Sequence, residues 1–285
     1  MDLDAFCAQA CALFERHGHT LECMVVPGKA IEKQLRASAG REGVDALLVG
    51  GGDGTISAAA GIAYETGVPL AILPAGTMNL FARALGVPLD LTEALEALAA
   101  GEVGAVDIAT ANGRPFVHQF GVGIHARLVR IREGMVYRSR LGKMLASLRA
   151  IAAAVVRPPV FEAELHSARG LEKRRVSGIA VSNNRVGDGH IPYADRLDEG
   201  VLGVYVAAPM STLDVVGLTI GVLFGTWRSS PMVSESEVKA VTLRFPKRKR
   251  SAKAVIDGEL VQLEPTTDLA IHPGALRVIL PRSAV

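Results

Sequence analysis

The sequence predicts an α/β domain with a parallel sheet, followed by a domain of antiparallel strands arranged as a β-sandwich. Three observations support this fold class. Helix-like and strand-like segments alternate up to about residue 107, a glycine-rich loop (GGGDGT, residues 50–55) separates one strand from one helix, and short strand-like runs dominate the second half. Alternation of this kind is typical of parallel sheets, whereas a series of short strands is typical of antiparallel ones.

The first domain is predicted from its hydrophobic periodicity. Predicted helices cover residues 5–18, 30–43, 56–66 and 91–102, and predicted strands cover residues 20–26, 44–50 and 68–76. Gly67 is suited to end the third helix, and Asp90 and Thr92 are suited to begin the fourth.

The alternation of helix-like and strand-like segments ends between residues 105 and 110, where short strand-like runs begin to dominate. We therefore expect a first domain at 1–107, a β-rich second domain at 108–275, and a tail at 276–285 that returns to the first domain. Asn112-Gly113 is the strongest hairpin signal. A helix is predicted at 138–156, and strands are predicted at 161–168, 173–184, 201–209, 238–245, 253–261 and 269–280.

Composition narrows the class of protein. Hydrophobic residues make up 49% of the 285 residues and the net charge is only +2, which favours a well-filled core and argues against obligate nucleic-acid binding. The cysteines, Cys7, Cys11 and Cys23, are odd in number and lack metal-ligand spacing, as expected in a reducing, cytoplasmic setting. The apolar run at 215–225 is shorter than the roughly 20 residues that cross a bilayer.

The glycine-rich loop indicates a phosphate site. Glycines after a parallel strand let the backbone approach a ligand, and the following helix presents free N–H groups. The loop is not a Walker A motif, because Gly54 precedes Thr55, and Ser57 stands where a dinucleotide fingerprint needs its last glycine. Asp53 would hold Mg²⁺ or orient an acceptor hydroxyl; alternatively, the loop is a tight turn with Asp53 as the N-cap.

A second glycine loop, PAGTMN at residues 74–79, follows the next predicted strand. Thr77 could cap the following helix or offer its hydroxyl to a phosphate or sugar. Because adjacent parallel strands end at the same edge of a sheet, both loops should line one crevice. A simple capped turn is the alternative for this loop.

Four motifs occur in order along the chain: GGDGTI, PAGTMNLFARALG, SNNRVGDGHIPYADRLDEGVL and VIDGEL. In this order they resemble the diacylglycerol kinase catalytic-domain family, bacterial soluble lipid kinases related to sphingosine and ceramide kinases. The resemblance runs from about residue 20 to residue 281. The first motif alone is shared with NAD kinases, which makes a kinase for a soluble acceptor one alternative.

The resemblance implies a nucleotide-binding first domain of the NAD kinase/diacylglycerol kinase type, with ATP and Mg²⁺ as cofactors and the active site in a cleft between the domains. The residues implied in ATP binding are Gly51, Gly52, Asp53, Gly54, Thr55, Ser57 and Thr77. In the family, the acid of the last motif takes the proton from the lipid hydroxyl. This implies Glu259 as general base and Asp257 as a metal or orienting partner, whereas the residues alone also allow a plain Asp-Gly hairpin turn.

Departures from the family pattern bear on the metal sites. The family's D-G turn holds a structural Mg²⁺; here Asp198 and Glu199 are the candidate ligands, and Glu199 stands where the family has aspartate. Leu80 replaces an aspartate after the second loop, and Ser57 replaces an asparagine. The family also opens with a strand and a nucleotide-contacting loop, and we expect the first domain here to lack that strand.

Two basic clusters suggest how a lipid substrate would be reached. One contains Arg127, Arg130, Arg132, Arg138, Arg140, Lys143 and Arg149, and the other is the run Lys247–Arg250. Anionic lipid surfaces attract such clusters, whereas a solvated basic face is the alternative. Nucleic acid is disfavoured, because the clusters lack interleaved aromatic residues. We expect a protein peripheral to the membrane, with the choice between monomer and homodimer open.

The predicted function is ATP- and Mg²⁺-dependent phosphorylation of a lipid hydroxyl, most simply of diacylglycerol to phosphatidic acid. Another lipid alcohol, such as a sphingoid base or a phosphatidylglycerol-like molecule, is an alternative acceptor. A degenerate, non-catalytic lipid-binding protein is the alternative of a different class, which Leu80 and Glu199 favour and which Asp53, Thr77, Asp257 and Glu259 oppose.

Overall fold

The computed structural model describes residues 2–133, 158–187 and 193–282. The chain divides into two compact units. The first comprises Met1–Ile108 and Pro273–Val285, and the second comprises Ala109–His272. The strands β3 (Glu102–Ala111) and β14 (Thr266–Leu280) each begin in one unit and end in the other.

The first unit is α/β. Its helices are α1 (Leu3–Arg16), α2 (Ile31–Ala39), α3 (Asp53–Thr66), α4 (Leu80–Ala84) and α5 (Leu91–Ala99), with a 3₁₀ turn at Gly28–Ala30. Strands β1 (Leu47–Gly51) and β2 (Leu70–Pro74) are parallel, with Leu47 opposite Leu70, and Leu70 also pairs in parallel with Val278 of β14. The predicted parallel sheet is therefore confirmed.

The core of this unit forms where α3 covers the strands. All five residues of β2 are buried, and α3 buries a face of small and branched side chains: Ile56, Ala59, Ala60, Ile62 and Ala63. Gly67, in the left-handed conformation (φ 73°), ends α3, and the side chain of Asp90 accepts from the N–H groups of Thr92 and Glu93 to begin α5. Both helix boundaries are those that the sequence predicted.

The strand predicted at residues 20–26 is wrong. This segment has no strand assignment, and its side chains Met24 and Val25 are 47% and 58% exposed. A strand needs a ladder partner, and no described strand pairs with this segment. It is held instead by a disulfide between Cys7 of α1 and Cys23, whose Cα atoms lie 5.7 Å apart.

The disulfide also corrects the expectation that the cysteines form no covalent framework. Cys7 and Cys23 are 16 residues apart in sequence, and the chain reverses direction between them at Gly18, which has φ 80°. Cys11 is free, and its thiol donates to the carbonyl of Leu21 over 3.2 Å.

The second unit is built from antiparallel strands. They are β4 (Arg114–Phe116), β5 (Gln119–Gly123), β6 (Phe161–Ser167), β7 (Gly170–Val176), β8 (Gly178–Asn183), β9 (Leu202–Ala207), β10 (Val233–Val238), β11 (Ala240–Arg244), β12 (Lys253–Ile256) and β13 (Glu259–Gln262). One sheet has the order β10-β9-β8-β5-β12-β13. In the other, β14, β11, β6 and β7 are neighbours, and β3 pairs with both β14 and β4.

A shared hydrophobic core joins these two sheets, so the predicted sandwich is confirmed. Fully buried aromatic and aliphatic side chains from both sheets form this core, including Phe116, Phe120, Leu202, Leu243 and Leu269. Burial of such side chains is worth about 1.5–3 kcal/mol each relative to exposure. This core fixes the ends of the strands that carry the later motifs.

Two helices and a 3₁₀ turn complete the second unit within the described residues. They are α6 (Ile124–Glu133), α7 (Thr212–Leu223) and the turn Trp227–Ser229. The helix predicted at 138–156 lies outside the described residues. Within the described part of the chain, no helix is long and apolar enough to cross a membrane.

Candidate active site

The first glycine loop runs directly into a helix. The predicted helix begins at residue 56, but α3 begins at Asp53, so that Asp53, Gly54 and Thr55 form its first turn. Gly52 is the N-cap and makes no side-chain cap hydrogen bond, which corrects the interpretation of Asp53 as the N-cap. N–H groups in the first turn of a helix have no partner within the helix and favour anions.

The two glycine loops touch each other through their backbones. A Cβ atom on Gly76 would lie 2.6 Å from the Cα of Gly52 and 2.8 Å from Oδ1 of Asn79. A Cβ on Gly51 would lie 2.7 Å from side-chain carbons of Thr55. Neither position has room for a larger residue. The motifs GGDGT and PAGT, each following one of two paired parallel strands, therefore form one continuous surface.

Asp53 joins the two loops. Its Oδ1 accepts from the N–H of Leu80 over 2.7 Å, and its Oδ2 accepts from the N–H of Asn79 over 3.2 Å. These are the first N–H groups of α4, so Asp53 supplies the cap for which Thr77 was a candidate. Leu80, which lacks the family's carboxylate, contributes through its backbone.

Asn79 organises the second loop from within. It has a left-handed backbone (φ 51°), its Oδ1 accepts from the N–H of Gly76 over 2.8 Å, and its Nδ2 donates to the carbonyl of Gly76 over 3.0 Å. Thr77 is exposed. Its hydroxyl is therefore available to a ligand, while the shape of the loop depends on Asn79 and Asp53.

Asp107 is a buried acid in the first unit that was not predicted from the sequence. It lies on β3, is 1% exposed, and its Oδ1 accepts from the N–H of Gly274 over 2.8 Å. Its signal in the sequence was a single acid within the apolar run VDIA, since buried carboxylates are uncommon and require hydrogen-bond partners.

In the second unit, Asp257 anchors the turn between β12 and β13. Asp257 and Gly258 both have positive φ (46° and 84°), so the predicted Asp-Gly hairpin is present. The Asp257 carboxylate accepts three backbone N–H groups, from Val117, His118 and Gln119, each over 2.9 Å. The Asp257 carboxylate therefore holds this turn against the backbone of residues 117–119.

Glu259 follows this turn and is open to solvent. Its side chain is 70% exposed, and its Oε2 accepts a hydrogen bond from Nη2 of Arg114. Arg114 was not predicted from the sequence, because it lies 145 residues earlier in the chain. An exposed carboxylate beside a backbone-anchored turn has the accessibility that a general base requires.

The third motif begins where β8 ends, at the same end of the sheet as the turn that carries Glu259. Gln119 pairs with Ser182 of β8 and also accepts from the N–H of Asp257. Asn183 donates through Nδ2 to the carbonyl of Val117 over 3.2 Å. The motifs SNN and DGE, far apart in the sequence, are therefore brought together within the second unit.

The carboxylates predicted for a structural metal are already engaged. Arg196 donates from Nε to Oδ1 of Asp198 over 3.0 Å and from Nη2 to Oδ2 over 3.1 Å, and this pairing lowers the pKa of Asp198. Oε2 of Glu199 accepts from the N–H of Arg185 over 3.3 Å. Within the described residues, no group of three or more His, Cys, Asp or Glu side chains could hold a metal. Asp198 and Glu199 thus each accept a hydrogen bond within the second unit, and their role as metal ligands stays a prediction.

The predicted basic clusters are only partly within the described residues. Arg127, Arg130 and Arg132 lie on α6, whereas Arg138, Arg140, Lys143 and Arg149 lie outside the described part of the chain. In the second cluster, Lys247 pairs with Glu162 over 3.0 Å, and both side chains are substantially exposed.

Comparison with known proteins identifies the family. The profile of the diacylglycerol kinase catalytic domain matches residues 2–111. A Pseudomonas aeruginosa protein named "Probable lipid kinase YegS-like" is 30% identical over 269 residues, covering 89% of this chain and 80% of the relative. The chain belongs to the diacylglycerol kinase catalytic-domain family. An uncharacterized Synechocystis protein, sll0036, is 27% identical over 262 residues; that match covers 87% of this chain but only 58% of the relative's length.

Solved structures support the same fold for this member of the kinase family. A Bacillus anthracis structure described as a candidate diacylglycerol kinase has a TM-score of 0.75 at 22% identity, covering all of this chain and 94% of the other. A second, described as a diacylglycerol kinase from the same organism, has a TM-score of 0.64 at 19% identity, covering 92% of this chain and 85% of the other. The motifs on which the resemblance rests thus occur in a chain with the family's fold.

Proposed function

We propose that the protein is an ATP- and Mg²⁺-dependent lipid kinase that phosphorylates a lipid hydroxyl, with diacylglycerol as the acceptor and phosphatidic acid as the product. The observation that carries the proposal is the joined pair of glycine loops in the first unit. At Gly76 the two backbones are so close that a Cβ atom would lie only 2.6 Å from the Cα of Gly52, and the first turn of α3, which has no side-chain cap, lies beside them.

This arrangement suits the phosphates of a nucleotide. Polyphosphates bind where several backbone N–H groups converge at a helix N-terminus, with glycines that permit close approach. Gly54 has open space beside it, and Thr55 and Ser57 are partly exposed on the same turn and the next. Thr77 offers an exposed hydroxyl from the second loop.

Mg²⁺ is the metal that this site would use. It typically binds nucleotide phosphates together with one or two carboxylates, and Asp53 is the carboxylate within the joined loops. When bound, it would supply neutralisation of phosphate charge, which is a large part of phosphoryl-transfer catalysis.

On the acceptor side, Glu259 would act as the general base. It accepts the proton of the lipid hydroxyl as the oxygen attacks the γ-phosphorus of ATP, and ADP leaves with the electrons of the broken bond. Asp257 holds the turn that presents Glu259 through its three backbone hydrogen bonds. The exposure of Glu259 is consistent with a large, external acceptor.

A lipid acceptor is supported by an apolar stripe on α7. Leu213, Val216, Ile220 and the following Phe224 recur at helical spacing and are 80%, 40%, 50% and 70% exposed, whereas Val215 on the opposite side is buried. Exposed apolar side chains that form a continuous stripe are typical of membrane or partner contacts. We therefore place the reaction at a membrane surface, with the protein peripheral to the bilayer.

The proposal is tested by phosphoryl transfer from γ-labelled ATP to a panel of lipid alcohols, presented in mixed micelles and in anionic vesicles with Mg²⁺. The panel contains diacylglycerol, a sphingoid base and phosphatidylglycerol. We expect transfer to diacylglycerol, and we expect Glu259→Gln to lower kcat by about 10²–10⁴-fold with little change in ATP affinity, because general-base catalysis contributes about that factor.

Glu162→Gln is the matched control, because Glu162 is another partly exposed glutamate of the second unit that pairs with a basic side chain. It should retain wild-type activity. Transfer to another lipid would identify a different acceptor for the same chemistry. ATP binding without transfer to any lipid would favour the non-catalytic lipid-binding alternative, and transfer to NAD would favour a soluble acceptor.

A further inference from the structure

We infer that Arg114 is a positioning residue for the general base, holding one oxygen of Glu259 so that the other faces the acceptor hydroxyl. The inference rests on the proposed function, because it assigns a role to a residue that acts through Glu259. It is carried by the geometry of two neighbouring hairpins in the second unit.

The first of these hairpins, which we call the Arg114 hairpin, joins β3 to β4 through Asn112 and Gly113. Both turn residues have positive φ (48° and 80°). Asn112 is held through both its backbone and its side chain. Its N–H donates to the carbonyl of Asp268 over 2.8 Å, and its Oδ1 accepts from the N–H of Asp268 over 2.7 Å. Arg114 therefore projects from a rigid backbone.

The second, which we call the Glu259 hairpin, joins β12 to β13 through Asp257 and Gly258. Two separate non-covalent contacts hold it against the Arg114 hairpin and the segment that follows that hairpin. Asp257 binds the N–H groups of residues 117–119, and Arg114 binds Glu259. The backbone of the turn and the side chain of its glutamate are thus fixed by different residues.

The ion pair leaves half of the carboxylate available. Nη2 of Arg114 contacts Oε2 of Glu259, and Oε1 makes no hydrogen bond with any residue that the structure describes. A carboxylate held through one oxygen keeps a lone pair of the other oxygen for the incoming proton. Without Arg114, a side chain that is 70% exposed would sample several rotamers, and few of them would be productive.

The exposure of this ion pair also means that Arg114 contributes little to the stability of the fold. The Arg114 and Glu259 side chains are 48% and 70% exposed, and ion pairs this exposed contribute little to stability. Removing the guanidinium should therefore leave the fold intact and change the reaction, so that the role of Arg114 in catalysis can be measured separately.

The test compares Arg114→Gln, Arg114→Lys, Glu259→Gln and the double variant Arg114→Gln/Glu259→Gln in the full-length protein, with steady-state transfer to diacylglycerol in mixed micelles. We expect Arg114→Gln to lower kcat roughly tenfold while the KM for ATP stays within twofold, and Arg114→Lys to recover part of the loss. The double variant should be no slower than Glu259→Gln, because Arg114 acts only through that carboxylate.

Arg174→Gln serves as the matched control, since Arg174 is a half-exposed arginine of the second unit that pairs with Glu172 on β7. It should keep wild-type kcat. Wild-type kcat in Arg114→Gln, or multiplied losses in the double variant, would overturn the inference while leaving the proposed function in place. A wild-type protein that transfers phosphate to no lipid would overturn both.

Discussion

Among single residues, Asp257 has a contribution to stability that can be separated from any role in catalysis. Its carboxylate accepts three backbone N–H groups at 2.9 Å. In Asp257→Asn, an amide NH₂ would face at least one of these donors, leaving it without an acceptor. We expect the free energy of unfolding to fall by about 3 kcal/mol, since each hydrogen bond to a charged group is worth about 1.5–3 kcal/mol and partial compensation remains. Urea denaturation measures this change.

Asp268→Asn is the control for that substitution. Asp268 is an exposed aspartate in the same unit whose side chain accepts from the hydroxyl of Thr242 over 2.6 Å. Its replacement should cost less than about 1 kcal/mol, as is usual for exposed polar groups. An equal fall in the free energy of unfolding for the two variants would mean that the three N–H contacts of Asp257 do not stabilise the fold more than one exposed hydrogen bond does.

The candidate site shows which residue roles a sequence can reveal. Asp257 and Glu259 were predicted from the resemblance of VIDGEL to the family's last motif, whereas Asp-Gly by itself is a local signal only for the hairpin turn. The partner of Glu259 was not found, because Arg114 is remote in sequence and only the fold brings them together. Asp53 was predicted to hold Mg²⁺ or orient an acceptor hydroxyl, but its contacts with Asn79 and Leu80 depend on how two loops meet, which no local pattern contains.

At the scale of elements, the close contact of the two glycine loops makes a specific prediction for Gly76. In Gly76→Ala the new methyl group would lie 2.6 Å from Gly52 and 2.8 Å from Asn79, and the nearest of these atoms is backbone. The loops must move apart, which would disturb the surface proposed for the nucleotide. We expect the KM for ATP to rise at least tenfold, because misplacement of about 1 Å in a binding site can cost that much or more.

Gly28→Ala provides the matched glycine in the same unit, since a Cβ at Gly28 meets nothing within 4 Å. It should leave the KM for ATP unchanged. If Gly76→Ala bound ATP as tightly as the wild type, the nucleotide phosphates would not lie against the joined loops. Equilibrium ATP binding separates this effect from changes in turnover.

Elements with strong periodicity were predicted well, and those whose stability comes from a partner were not. Helix α5 and strands β1 and β2 follow from apolar spacing and capping residues. The segment at 20–26 has strand-like composition but no ladder partner among the described strands. Strand β10, with the sequence VSESEV, was missed because it is polar; it forms at the edge of its sheet by pairing with β9.

For the whole molecule, the sequence predicted the class of each unit because the alternation of helix-like and strand-like segments gives way to short strand-like runs near residue 107. The motifs divide accordingly: both glycine loops belong to the first unit, whereas SNN and DGE belong to the second. The route of β14, which begins in the second unit and ends in the first, depends on strand pairing across long sequence separations. The sequence alone suggested only that the tail would return.

Alkaline pH should destabilise the protein in part through one buried phenol. Tyr205 is 7% exposed, accepts from the N–H of Val186 over 2.9 Å and donates to Glu235 over 3.1 Å. Burial, helped by the charge of Glu235, raises its pKa above the value of about 10 for an exposed tyrosine. Because the folded-state pKa is the higher one, this contribution to stability is fully present below pH 10 or so and is lost as pH rises through the folded-state value.

Tyr205→Phe isolates this contribution, since the other tyrosines are common to both proteins. At pH 7.5 the variant should be less stable by about 1–3 kcal/mol, because the buried N–H of Val186 loses its acceptor. Between pH 9 and 11, however, the free energy of unfolding should fall more steeply in the wild type than in the variant, so that the two curves converge. Urea denaturation at several pH values measures both slopes; parallel curves would show that the Tyr205 hydroxyl titrates alike in the folded and unfolded chains.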